Sequence, residues 1–220
     1  MFLISFLHKL ILFFIRALCR HFNVIPASPP FTLPIGSTFQ MLVLHDAHMP
    51  THVLSVRQSD QSPSNPPTFL PINSSLFEQG FRHLSHLIPP SPPGSTAPVP
   101  LIHPSSQRLV VSLPVVPITV PHVDSLALLL LYSMNLESDL LLLAQNLLPG
   151  HVVGEFPGLP AMLTFLCLMG DYEFENVWRF SQGMRNNSLA LVPVKEELNT
   201  VVENAWNAAA EARRARSRRY

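Results

Sequence analysis

Charged residues are scarce in this chain. They make up 13% of its 220 residues, about half of the roughly 25% usual in soluble domains. Lys plus Arg and Asp plus Glu balance at 14 each, and a near-neutral middle with a basic tail does not argue for a large nucleic-acid surface. Two cysteines, Cys19 and Cys167, are too few for a disulfide framework or a thiolate zinc cluster and fit a reducing compartment. The eight glycines are scattered. None builds a G-x-G-x-x-G or G-x-x-x-x-G-K loop, so the common backbone cradles for phosphate are missing. A G-x-S-x-G nucleophile elbow is missing too.

Proline, by contrast, is abundant: 19 of 23 lie between Pro26 and Pro121, marking that stretch as loop-rich. Apolar residues reach 47%, enough for one domain with extensions. Charge is segregated despite the balance. From Asp124 to Glu211 eleven acids face only Arg179, Arg185 and Lys195, and five arginines then crowd Arg213 to Tyr220.

The N-terminal "MFLISFLHKLILFFIRALCRHF" admits several readings. Lys9 and Arg16 interrupt it, so no apolar run reaches the ~18 residues of a spanning helix. It lacks a basic start for a signal peptide, although Ala17 and Cys19 could precede a cut. Ser5, Lys9, Arg16 and Arg20 form one polar stripe on a greasy cylinder, which suits a helix lying on a membrane. An extension without function is the plain alternative.

Residues 23–39 read as a linker. Two β-type runs, 40–45 and 52–57, frame "DAHMPT" and predict a hairpin. "QSPSNPPTFLP" reads as a loop. Ser75 and Glu78 have capping-box spacing and predict a helix over 75–87. "RLVVSLPVVPITV" is β-like, but Pro114 and Pro117 remove ladder donors, so two short strands or one broken edge strand are expected. Helices follow at 124–134 and 138–148, the second capped by Ser138. Another runs from Pro160 to Gly170, and Asp171 caps one reaching Met184. The last starts after Pro193, with its arginines at the C-terminal end, where the helix dipole favours cations.

In "HDAHMPTH", His45, His48 and His52 supply enough nitrogens for zinc. Pro50 would break a helical arrangement, and on a hairpin His48 would have to fold back from the tip. The stretch is read as a solvated turn with histidines at strand ends; neither metal nor cofactor is expected. Cys167 sits in an apolar helix as a small core residue, and "DYEFE" reads as a solvated first turn. Arg213, Arg214, Arg216, Arg218 and Arg219 could form a nuclear import signal or touch phosphates. Phosphorylation of Ser217 would weaken such a contact.

"LVLHDAHMPTHVLSVR" resembles the opening strand pair of a BTB/POZ-like domain, and "ITVPHVDSLALLLLYSM" its later strand-to-helix step. With "NLESDLLLLAQNLLPG", the same blocks resemble the clampless-type developmental regulators of basidiomycete fungi, non-enzymatic proteins of the sexual cycle. The likeness covers residues 40–57 and 108–185. It implies a role in protein–protein contact and transfers no functional residue.

The expected architecture is α+β: a small antiparallel sheet on a helical bundle, with long proline-rich disordered loops. Residues 1–22 form an apolar, basic segment, 23–39 a linker, 40–192 a BTB-like domain with insertions near 58–74 and 89–107, and 193–220 a helix with a basic tail. The expected function is non-enzymatic regulation through other proteins, transcription regulators among them, in the nucleus or cytoplasm. No small-molecule substrate is expected. The alternative is a membrane-associated protein anchored by residues 2–22.

Overall fold

The computed structural model describes residues 5–26, 37–45, 48–62, 64–82, 88, 98–104, 107–156 and 158–218. The fold is α+β. Its helices are α1 (Ser5–His21), α2 (Ser74–Gly80), α3 (Val123–Ser133), α4 (Leu140–Leu147), α5 (Gly150–Val153), α6 (Leu159–Leu168), α7 (Asp171–Leu191) and α8 (Glu196–Ser217). Its strands are β1 (Val24–Pro26), β2 (Thr38–Val43), β3 (His52–Gln58), β4 (Thr68–Ile72), β5 (Leu101–Ile102) and β6 (Leu109–Val120).

Helix α3 is the centre. Every residue from Ser125 to Ser133 is buried, as an all-round apolar helix requires. It packs against α1, α2, α7 and β3. Gly80 closes α2 onto it: a Cβ there would stand 2.6 Å from the Ser133 carbonyl oxygen.

The sheet order is β1-β2-β6-β3-β4, with β5 also pairing β6. It is mixed rather than antiparallel, because β3 and β6 run parallel. The expected hairpin of β2 and β3 does not form, since β6 lies between them. The true hairpin partner of β3 is β4, with His52 opposite Ile72 and Val56 opposite Thr68. Thus "TFLPI", expected to be loop, is a strand, and part of the expected 23–39 linker is β1.

Strand β6 is one continuous element in the middle of the sheet, despite its prolines. Its pairing with β2 ends at Thr38 opposite Pro114, and its pairing with β3 begins at Val53 opposite Val115. The Val115 N–H donates to the Ser37 carbonyl at 2.9 Å. Backbone groups alternate sides along a strand, so Pro117 directs its nitrogen to that same edge, beyond the end of β2. Pro114, one residue out of phase, directs its nitrogen to the opposite edge, between β5 and the start of β3. Neither proline removes a ladder bond, which reconciles both with a central strand.

Helix boundaries follow the caps. Asn73 Oδ1 accepts from Leu76 N at 3.2 Å, so Asn73 caps α2 in place of Ser75. The helix ends at Gly80, where Phe81 turns extended and bridges Pro193; residues 83–87 of the expected helix lie outside the described residues. Asp139 rather than Ser138 caps α4, accepting from Leu141 N and Leu142 N. Helix α7 runs on past Met184 to Leu191 and lies antiparallel to α8, with Asp171 near Arg216, Arg185 near Glu203, and Ser188 near Asn199.

The greasy N-terminal run contributes to the same core. Phe14, Leu18, Cys19 and Phe22 are buried, and Phe14 stacks on Phe180 with ring centroids 6.3 Å apart. Phe14→Ala should therefore cost about 3–5 kcal/mol, read as a lower urea midpoint at unchanged m. A loss within about 0.5 kcal/mol, the range of surface substitutions, would show that α1 only rests on the domain.

Candidate functional site

The three histidines of "HDAHMPTH" do not converge. His45 and His48 are exposed, and His48 holds the left-handed conformation at φ 51°. His52 is buried on β3, its Nδ1 2.9 Å from Thr51 Oγ1. With β6 between their strands, His45 and His52 have no shared ladder across which to meet. Asp46 and Ala47 lie outside the described residues. Among the described residues, no three His, Cys, Asp or Glu side chains are grouped to hold a metal ion.

A buried polar cluster does form, at the start of α3. The His122 and Val123 amides, left free by helix geometry, donate to Asn187 Oδ1 at 3.0 Å and to Gln58 Oε1 at 3.4 Å. Asn187 Nδ2 returns bonds to the His122 carbonyl at 2.6 Å and to Ser125 Oγ at 3.1 Å. Ser125 Oγ lies 2.9 Å from His122 Nδ1. Since Ser125 already accepts from Asn187, its own proton is available to an unprotonated Nδ1. Ser125 and Asn187 are fully buried, and the cluster caps α3 with side chains contributed by α7 (Asn187) and β3 (Gln58). Gly183 makes room for it, because a Cβ there would fall 2.2 Å from His122 Nδ1. Sequence reasoning missed this cluster; the polar "NNS" inside an otherwise helical pattern, of which Asn187 is buried, was its only signal.

Burial pushes His122 below the ordinary imidazole range, with Asp124 opposing and Arg179 reinforcing the shift. Burial lowers His52 likewise, against Glu78. A cation at His122 would also face the positive end of α3. Burial pushes the Cys19 thiol up to about 12, so it is no thiolate nucleophile at neutral pH. Cys167 Sγ donates to the Ala212 carbonyl at 3.9 Å.

The arginine tail is divided in use. Arg216 is largely buried and donates to the carbonyls of Leu166, Cys167 and Met169 at 3.2, 3.1 and 2.8 Å. It thereby satisfies the carbonyl end of α6, pairs with Asp171 and stacks over Phe174 at 4.6 Å. Arg213 lies 4.8 Å over Trp178 and pairs with Glu175 at 3.2 Å. Arg214 pairs with Glu211 on the surface, and Arg218 is exposed. Arg219 lies outside the described residues. An import receptor reading all five as an extended segment would have to pull Arg216 out of α6. Of the "DYEFE" acids, Asp171 and Glu175 are engaged by these arginines.

Around α4 the surface is apolar. Its "LLLLAQNL" carries more leucines than one face of a short helix can bury: Leu143 and Leu147 are inside, Leu141 and Leu142 outside. A trough of about 350 Å³ between α4, α5 and α8 is lined by Leu141, Phe156, Met162 and Val201. A second hollow of about 470 Å³ between α4 and α7 has Leu147, Leu148, Val177 and Phe180 in its walls and Gln145 and Asn176 among its polar groups.

Two outcomes test this account. With folded pKa values below the unfolded imidazole value of about 6.5, the unfolded chain binds more protons as pH falls. Stability is then complete above about pH 6.5 and declines as pH drops toward the folded values; His122→Gln should flatten that decline in melting curves. Arg216→Lys, which loses the planar fork, should cost about 2–3 kcal/mol in urea titrations. No family model, curated protein or solved structure matches this chain, so what the site can do is read from these side chains.

Proposed function

We propose that the chain is a non-enzymatic regulatory protein acting through protein–protein contacts, in the manner of the BTB-like and clampless-type proteins it resembles, with a setting in fungal sexual development. The observation that carries this reading is the exposed apolar face around α4 to α6. Leu141 is 59% exposed, Phe156 61% and Leu168 72%, and Leu141 and Phe156 share the apolar trough. Apolar side chains gathered on a surface mark interaction sites, and the trough suits an apolar segment of a partner protein. The block "ITVPHVDSLALLLLYSM" supports the resemblance by forming a strand that runs into a helix, β6 into α3. The strand pair expected in "LVLHDAHMPTHVLSVR" gives no such support, because β2 and β3 are not paired.

A membrane contact is the second reading. Leu12 and Phe13 are exposed on α1 beside Arg16 and Arg20, a pattern suited to a membrane surface. No helix among the described residues is long and apolar enough to cross a membrane.

Deleting residues 1–22 would strip the core, so the test uses point substitutions. Leu141→Asp with Phe156→Asp should leave the melting temperature nearly unchanged, as surface changes do, and should abolish most affinity capture of partner proteins from the native source. Capture unaffected by this pair overturns the assignment of the surface. Retention of the parent chain on membranes after a high-salt wash would favour the second reading.

A further inference from the structure

We propose that a cleft between α7 and α8, walled by Trp178 and Trp206 and rimmed by Arg213, Arg214 and Arg218, docks an acidic segment of a partner protein. This rests on the interaction reading above and names a partner chemistry for a second surface. The cleft measures about 500 Å³. Trp206, Ala210, Arg213, Arg214 and Ser217 recur at helical spacing along α8 and share its lining, as one face of a helix does. Ala210 is small, so it leaves a hollow between the indole of Trp206 and the arginines one and two turns further on. Trp178 of α7 supplies the opposite wall.

The groups are held ready. Trp206 Nε1 donates to Gln182 Oε1 at 2.9 Å, and Arg185 lies 3.9 Å over its ring. Arg213 lies 4.8 Å over Trp178. Stacking restrains a guanidinium whose planar fork matches a carboxylate, so the arginine side chain would lose less freedom when a ligand binds there. The existing acid partners are exchangeable. In the Arg213–Glu175 and Arg214–Glu211 pairs both side chains are at least 44% exposed, and such pairs contribute little. Arg218 has no carboxylate partner among the described residues. Tryptophan and arginine are also the side chains most often found to dominate binding energy.

The surroundings favour a peptide over a nucleic acid. A nucleic-acid surface needs a track of phosphate contacts. Here the arginines end within one turn-and-a-half of α8, and the same helix carries Glu196, Glu197 and Glu203 toward its start. A compact cationic hollow with aromatic walls fits a few acidic residues flanking an apolar side chain.

The test measures fluorescence anisotropy of three labelled probes on the full chain: a short Glu- and Asp-rich peptide with two leucines, its counterpart with lysines for the acids, and oligouridine RNA. The acidic peptide should bind saturably and the other two should not. Arg214→Gln with Arg218→Gln, both at exposed positions, should weaken that binding about tenfold or more, as should Ser217→Glu, which places a carboxylate at the mouth. Absence of saturable peptide binding, binding indifferent to these substitutions, or tighter binding of the RNA each overturns the proposal. The arginine pair is also carried into affinity capture. Partners captured equally by it, yet lost with Leu141→Asp and Phe156→Asp, leave the interaction reading standing and sink the cleft. Capture lost with the arginine pair but kept with Leu141→Asp and Phe156→Asp upholds the cleft and overturns the assignment of the α4 surface.

Discussion

One constraint organises the molecule: α3 has no polar face. A helix with leucine at five of eleven positions must be enclosed, and each neighbour closes a different side. Helix α1 brings Phe14 and Leu18, α7 brings Phe180 and Met184, and the sheet brings Val53 and Val56, all of them in one buried cluster. Enclosure creates a second demand at the ends, where helix amides and carbonyls lack partners. At the start, the side chains of Asn187 and Gln58 meet the amides. At the far end, Asn135 takes the left-handed conformation, the amides of Leu136 and Glu137 return to the Leu131 carbonyl, and Tyr132 Oη donates to the Asp139 carbonyl. The side chains of Asn187, Gln58 and Tyr132 are therefore committed to ending a helix, while the buried Ser133 Oγ of α3 has no hydrogen-bond partner among the described residues.

How much of this was legible varies with the range of the interaction involved. Helices were readable from apolar spacing, because the periodicity is local. Their ends were readable only to within a few residues, since adjacent polar residues compete for the cap: Asn73 wins over Ser75, and Asp139 over Ser138. The end of α7 was missed for another reason. "RNNSLAL" looks too polar to continue a buried helix, yet Asn187 is fully buried against His122 and Arg185 stacks on Trp206. Those contacts are made by residues far away in sequence, and no window of the chain contains both partners.

Strand pairing was the least legible. Two β-type runs separated by a turn are the usual hairpin signal, and nothing local says that a strand from more than fifty residues later inserts between them. Strand β4 was hidden by Pro66, Pro67 and Pro71, and the unity of β6 by Pro114 and Pro117. The β6 prolines are tolerated because the strand changes partner between them, so each nitrogen faces an edge with no strand to bond. A proline's cost is set by the direction its nitrogen faces, and that direction follows from the register of strands found elsewhere in the chain.

The charge pattern shows the same point from the other side. Read along the chain, "DYEFE" and "EARRARSRRY" look like two unrelated runs, an acidic turn and a basic address. Folded, they are opposite halves of one interface, because α7 and α8 run antiparallel and the start of one lies against the end of the other. Asp171 meets Arg216, Glu175 meets Arg213, and further along Arg185 meets Glu203 with the sign reversed. Each helix places acids in its first turn, and α8 places arginines in its last, where the dipoles favour them. Dipole and partner thus ask for the same charges at the same ends. Segregated charge with zero net sum is what such a helix pair needs. Once that interface is satisfied, Arg214 keeps a weak surface pair with Glu211, and Arg218 has no carboxylate partner among the described residues.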